Sequence, residues 1–270
     1  MRFWLTGLAR ALAFAAVALT GVAHAAPAEP SDTDGKSPKV AYISLIIDDL
    51  GQSPDKDSRA LALPGPATLA IMPDTPHATD FARQAHKAGK TVMLHMPMDP
   101  ATGPYAWRPD LPLPELESRL NAALLKVPYA AGINNHEGSR MTAEPVAMGW
   151  LVGELQRRHL FFVDSRTSAK TVAAAEAQKI GLASLSRDVF LDDDRNAEAI
   201  NGQLQAAIKL AHKQGSAVVI GHPYPVTMDV LERELPKLKS QGIEWIELRH
   251  MITLRGNQAM GGHGKNGVYR

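Results

Sequence analysis

Short apolar runs alternate with amphipathic stretches along most of this chain, from about residue 40 to residue 248. The run 40–47 is nearly continuous, as in a strand buried on both faces. Further strands are expected at 67–72, 90–96, 130–134, 160–163, 182–185, 217–220 and 243–248. Between them, apolar positions recur with helical spacing at 53–63 (with Ser53 as a cap), 75–89, 114–125, 143–158, 169–180, 196–214 and 226–240. In 196–214 the stripe is Ile200, Leu204, Ile208 and Ala211. The segment 97–114 is Pro-rich and irregular, a length of loop that is more often functional than accidental.

Strand–helix units repeated this many times imply a mainly parallel sheet and an α/β class. No G-x-G-x-x-G follows the first strand and no P-loop lysine motif is present, so a closed or irregular barrel is expected rather than an open dinucleotide-binding sheet. No second hydrophobic pattern interrupts the alternation, which gives one domain over 39–252. Residues 1–25 have the form of a cleavable export signal. Arg2 and Arg10 precede an apolar run, and Ala23-His24-Ala25 fits the small-x-small rule. The alternative is a retained membrane anchor; cleavage is preferred because the run is short for a membrane span, which needs ~20 apolar residues. Residues 26–38 read as a linker and 253–270 as a flexible tail.

Composition narrows the function. The chain of 270 residues has 45% hydrophobic and 21% charged residues and a net charge of +1. That balance offers no field for nucleic acid or an anionic membrane, and no later segment is apolar enough to span a bilayer. There are no cysteines, which excludes disulfides, thiolate metal sites and Cys nucleophiles, and suits an exported protein in the periplasm. Lys90 and Lys170 do not follow strand ends, which leaves little support for a Schiff-base barrel enzyme.

Reactive residues gather where strands are expected to end: Asp48-Asp49, His95, the run Asn134-Asn135-His136, Asp164 with Arg166, and His222. In a parallel barrel those ends share one rim, where active sites form. Each has a plainer reading. Asp48 or Asp49 would cap a helix, His95 would sit hydrogen-bonded in the core, His222 would shape a turn beside Pro223, and Asp164 would pair with Arg166. Two adjacent carboxylates after a buried strand are nevertheless costly to desolvate without a cation or a proton. A carboxylate with two imidazoles suits zinc or a similar divalent metal and leaves a position for water. A second carboxylate to take the water's proton, and a histidine to protonate the leaving group, would complete an amide or ester hydrolase.

At these residues the chain resembles the polysaccharide deacetylase superfamily (NodB-homology carbohydrate esterases), and most of all its divergent branch. The resemblance rests on Ile46-Ile47-Asp48-Asp49-Leu50-Gly51, Leu94-His95-Met96-Pro97-Met98, Gly132-Ile133-Asn134-Asn135-His136-Glu137-Gly138-Ser139, Phe161-Phe162-Val163-Asp164-Ser165-Arg166 and Ile220-Gly221-His222-Pro223. It implies a distorted (β/α) barrel with Asp48 as catalytic base, His222 as general acid, and Asp49 and His95 as metal ligands. The main family has His-x-x-x-His where this chain has His95-x-x-x-Asp99, so the third ligand is His136, which we prefer, or Asp99. The main family also has an Arg near the position of Asn134; Arg140 or Arg166 would take its place. The implied partner is an acylated carbohydrate of the cell envelope. The alternative is an inactive envelope protein that binds a glycan or a protein partner through the same cleft, with Trp107 and Tyr105 as a stacking surface.

Overall fold

The computed structural model describes residues 40–263, and side chains through residue 256. The expected export signal (1–25) and linker (26–38) lie outside the described residues. The first strand, β1, runs Ala41–Leu50, and is followed by α1 (Pro54–Ala62), β2 (Thr68–Ile71), α2 (Ala78–Lys87) and β3 (Thr91–Met98). Next come α3 (Leu113–Lys126), β4 (Gly132–Glu137), α4 (Pro145–Arg157), β5 (Phe161–Asp164), α5 (Ala173–Lys179) and the short strands β6 (Ser184–Ser186) and β7 (Val189–Phe190). The chain then forms α6 (Ala197–Gln214), β8 (Ser216–Gly221), α7 (Pro225–Glu234), β9 (Ile243–Trp245) and α8 (Leu248–His263). Among the described residues no helix is long and apolar enough to cross a membrane.

All pairings between these strands are parallel. The order is β6-β5-β4-β3-β2-β1-β8-β7, with β9 beside the start of β1. The sheet's two outermost strands, β6 and β7, are separated in sequence only by Arg187 and Asp188. One extended stretch therefore pairs first with β5 and then with β8. It joins the two edges of the sheet and curls it into a barrel with a seam, the distorted (β/α) barrel expected from the sequence.

Alternation along the strands divides the core in two. Ile43, Leu45 and Ile47 of β1 belong to the large apolar layer between sheet and helices. Ile46, Met93, Val163, Leu185, Val218 and Ile220 form a second group, packed with Leu248 and Met251 of α8. This second group fills the barrel interior. Gly132 leaves room there for the Phe161 ring, which an added Cβ would meet at 2.2 Å.

The structure departs from the sequence reading in four places. The first strand continues through Asp48 and Asp49 rather than ending before them. The Ser53 side chain makes no capping hydrogen bond, and the Asp57 carboxylate holds that loop instead by accepting the Gly51 and Ser53 N–H groups. Strand β7 was not anticipated. Finally, the stretch expected as a tail from 253 is helical to His263, since Leu248 and Met251 dock α8 on the barrel interior.

Two glycines carry opposite predictions. Gly132→Ala forces the Phe161 ring out of place and should destabilise the fold by about 1–3 kcal/mol. Gly202 lies in the exposed middle of α6 with nothing near its missing Cβ, so Gly202→Ala should stabilise by about 0.5–1 kcal/mol. Urea unfolding of the two variants checks both signs.

Candidate metal and acid–base site

A polar layer caps the apolar barrel interior. Two residues beyond Ile46, Met93, Val163, Leu185 and Ile220 stand Asp48, His95, Ser165, Arg187 and His222. Two and four residues beyond Gly132 on β4 stand Asn134 and His136. Because all strands are parallel, this layer lies at one rim. A hollow of about 650 Å³ beside Val40, Leu238 and Trp245 lies at the opposite ends of β1 and β9 and is mostly apolar, so the chemistry identifies the site rather than the cavity size.

Strict alternation would send Asp49 to the other face of β1. Instead the register with β2 slips between Ile47 and Leu50, and Asp49 takes φ 59°. This bulge turns the second carboxylate toward the same hollow as the first. Gly51 follows at φ 102°, where a Cβ would lie 2.3 Å from Thr75 Oγ1, so the Asp-Asp-Leu-Gly sequence is required by the backbone as well as by the chemistry.

Asp49 Oδ1 lies 3.1 Å from His136 Nδ1 and 3.3 Å from His95 Nε2, and the two nitrogens are 3.1 Å apart. Edges of about 3.3 Å are those of a tetrahedral ligand set with metal–ligand distances of roughly 2.0–2.1 Å. Asp49 Oδ1 is also buried without an aligned hydrogen-bond donor, the state of an oxygen directed at a missing partner. These three residues are the described group able to hold a metal ion, so the donor set fits a zinc-like cation. His136 side-chain exposure of 25% and Asp49 exposure of 27% keep one side of the group open to solvent.

Asp48 is buried beside this triangle, 3.6 Å from His95 Nε2. Both its oxygens accept from Asn134 Nδ2, at 2.9 and 3.1 Å. Burial pushes its pKa up despite the nearby imidazoles. Asp49 goes the other way: burial opposes ionisation, but His136 and His95 outweigh it and hold the carboxyl below its usual range. His222 Nε2 reaches 3.8 Å from Asp49 Oδ2. Its Nδ1 lies 2.9 Å from Asp192 Oδ1, while Asp192 Oδ2 accepts from the His222 N–H and Thr227 Oγ1. Burial alone would lower the His222 pKa; Asp192 raises it above its ordinary value.

Five expected residues thus meet here: Asp48, Asp49, His95, His136 and His222. Four do not join them. Asp99 pairs with Arg140 at 3.3 Å, outside the ligand triangle. Arg140 has a largely exposed side chain and serves that pair. Asp164 points away from the barrel interior and accepts the Arg166 N–H and the Thr171 hydroxyl. Arg166 contributes its backbone to that turn and is exposed. Trp107 is fully buried and offers no stacking surface.

The sequence placed Asn134 at a strand end but gave it no role, and Asp192 and Arg187 were not singled out. Arg187 donates to the Ser165 and Arg166 carbonyls and lies over the Phe190 ring, whose edge meets His222. Asp192 faces His222 because β7 pairs in register with β8, and β7 was too short to read from the sequence.

The model of the family described as divergent polysaccharide deacetylase matches residues 45–252. The uncharacterized protein YibQ of Escherichia coli K12 is 40% identical over 195 residues, which are 71% of this chain and 61% of that protein; the chain therefore covers under two thirds of this relative's length. An uncharacterized protein from Agrobacterium tumefaciens has the same fold at TM-score 0.76 and 20% identity, over 80% of this chain and 90% of the other. The catalytic domain of a peptidoglycan N-acetylglucosamine deacetylase from Eubacterium rectale aligns at TM-score 0.52 and 16% identity, over 77% and 88% of the two chains.

The site predicts a pH dependence. Burial lowers the pKa of His95, but Asp48 and Asp49 outweigh it and raise it to about 9. Below that pH a proton occupies the nitrogen that a metal needs. Apparent zinc affinity should therefore climb by about a factor of ten per pH unit from pH 6 to about pH 9, then flatten. Titration with a competing chelator measures it. An affinity independent of pH over this range would contradict the assignment of His95 as a ligand.

Proposed function

The chain belongs to the divergent polysaccharide deacetylase family, and from that premise we propose that it is a metal-dependent hydrolase that removes acetyl groups from a carbohydrate of the cell envelope. The observation that carries this reading is the convergence of three ligand atoms, a buried carboxylate and an Asp-paired histidine at one rim. In the proposal Asp49, His95 and His136 hold the cation. Bound there, a divalent metal, most suitably zinc, acts as a Lewis acid and lowers the pKa of a water toward neutrality.

Asp48 is the base. Its raised pKa gives a carboxylate with more proton affinity than an exposed one, and Asn134 fixes its orientation. His222 is the acid. Asp192 holds its Nδ1 proton, so Nε2 is the nitrogen that gives a proton to the leaving amine or alcohol. The raised pKa favours the protonated form that a general acid needs. Phe190 and Tyr224 flank the imidazole and limit its rotation.

The export-like first 25 residues support a periplasmic location, where envelope carbohydrates would be the substrates. The alternative, an inactive glycan-binding protein, rests on Asp99 and Asn134 standing where the main family has His and Arg, and the buried Trp107 gives it no stacking surface.

Zinc-, cobalt- or nickel-loaded protein incubated with N-acetylated chito-oligosaccharides, peptidoglycan and O-acetylated glycans should release acetate from at least one. Asp48→Asn and His222→Ala should each lower the rate by about 10²–10⁴-fold with an unchanged circular dichroism spectrum. Loaded protein that releases no acetate from the panel, together with a cellular function that survives Asp48→Asn, would reject the enzyme in favour of a binding protein.

A further inference from the structure

Asn134 is wholly buried, projects from β4 into the polar layer, and touches both halves of the proposed machinery. Its Nδ2 donates to Asp48 Oδ1 and Oδ2 at 2.9 and 3.1 Å, and to Ser165 Oγ at 3.2 Å. Its Oδ1 lies 2.8 Å from His95 Nδ1. The chemistry of the partners removes the usual ambiguity of an amide. With Asp48 ionised, as its role as base requires, it only accepts, so the atom facing it is the NH₂ group. The atom facing His95 is then a carbonyl oxygen, which also only accepts. His95 Nδ1 must therefore carry a hydrogen.

We infer that Asn134 is a positioning residue that fixes the His95 tautomer, holding the proton on Nδ1 so that the Nε2 lone pair is presented to the point between Asp49 Oδ1 and His136 Nδ1. The same amide orients Asp48 through its other end. Asn134 thus ties the metal ligand and the base to one rigid group. A histidine that binds metal through one nitrogen almost always donates the other N–H to a fixed acceptor, and loss of that acceptor typically costs 10–100-fold in metal affinity.

Among the described residues, Asn134 Oδ1 is the hydrogen-bond partner of His95 Nδ1. Ser165, by contrast, only receives one of the amide hydrogens, so it lies outside the link between Asp48 and His95. The inference rests on the proposed metal site and base, but its test does not depend on turnover.

In zinc-loaded protein labelled with ¹⁵N-histidine, long-range ¹H–¹⁵N spectra should show His95 with a protonated Nδ1. A protonated Nε2 would overturn the inference whether or not the protein hydrolyses anything. Asn134→Leu, close in size but without hydrogen bonds, should weaken zinc binding by 10–100-fold. Asn134→Asp keeps an acceptor for the His95 N–H and should recover most of that affinity. Ser165→Ala should stay within a few-fold of the parent. Unchanged affinity in Asn134→Leu, or equal loss in the Leu and Asp variants, would also overturn it. If His95 shows the expected tautomer and zinc binds, yet 4-nitrophenyl acetate and acetylated glycans are untouched, the hydrolase reading fails and the role of Asn134 stands.

Discussion

In an unbroken strand, Asp48 and Asp49 would point to opposite faces of the sheet, and only one carboxylate could enter the barrel. The bulge at the end of β1 removes that restriction. Asp49 adopts φ 59°, a conformation that Asp tolerates better than most residues, and both acids then face one hollow. Gly51 at φ 102° and the Asp57 carboxylate, which accepts two backbone N–H groups, hold the turn that follows. Position 48 thus meets Asn134 and position 49 meets His95 and His136, and the remaining contacts of the site follow from this one local break in alternation.

Clustering two carboxylates in a largely buried site is expensive, and the structure offsets the cost by pairing nearly every polar atom. Asp48 accepts from Asn134, Asp192 accepts three hydrogen bonds, and Asn135 Oδ1 accepts the Ser165 N–H. The exception is Asp49 Oδ1. In a network so fully satisfied, one unpartnered oxygen beside two imidazole nitrogens is a functional signal rather than a packing fault. The contrast with Asp164 is instructive. It too ends a strand and is fully buried, but its oxygens are consumed by the Arg166 N–H and Thr171, so it shapes a turn.

Much of this was legible in the sequence. Continuous apolar runs such as 40–47, between helical stripes such as Ile200, Leu204, Ile208 and Ala211, point to a parallel α/β sheet by periodicity, and the family resemblance adds the distorted barrel. The five central residues could be found because they fall at strand ends. The rest depended on information that local pattern lacks. Strand β7 is two residues long and is defined only by its pairing with β8, so Asp192 in the run Asp192-Asp193-Asp194 gave no sign of which acid meets His222. Parity offered a usable signal that strand ends did not. Asn134 lies two residues beyond Gly132 and Arg187 two beyond Leu185, positions that face the barrel interior, whereas Asp164 has the opposite parity to Val163. Asp99 was misleading because it occupies the spacing of a ligand while the chain there turns toward Arg140.

The central claim is that Asp49, His95 and His136 surround one cation. Anomalous diffraction at the zinc edge, from crystals of protein purified without chelators and supplied with zinc, tests it most directly. The account predicts a single strong peak roughly 2.0–2.2 Å from Asp49 Oδ1, His95 Nε2 and His136 Nδ1. An empty triangle at saturating zinc, or a peak held instead by Asp99, would contradict it.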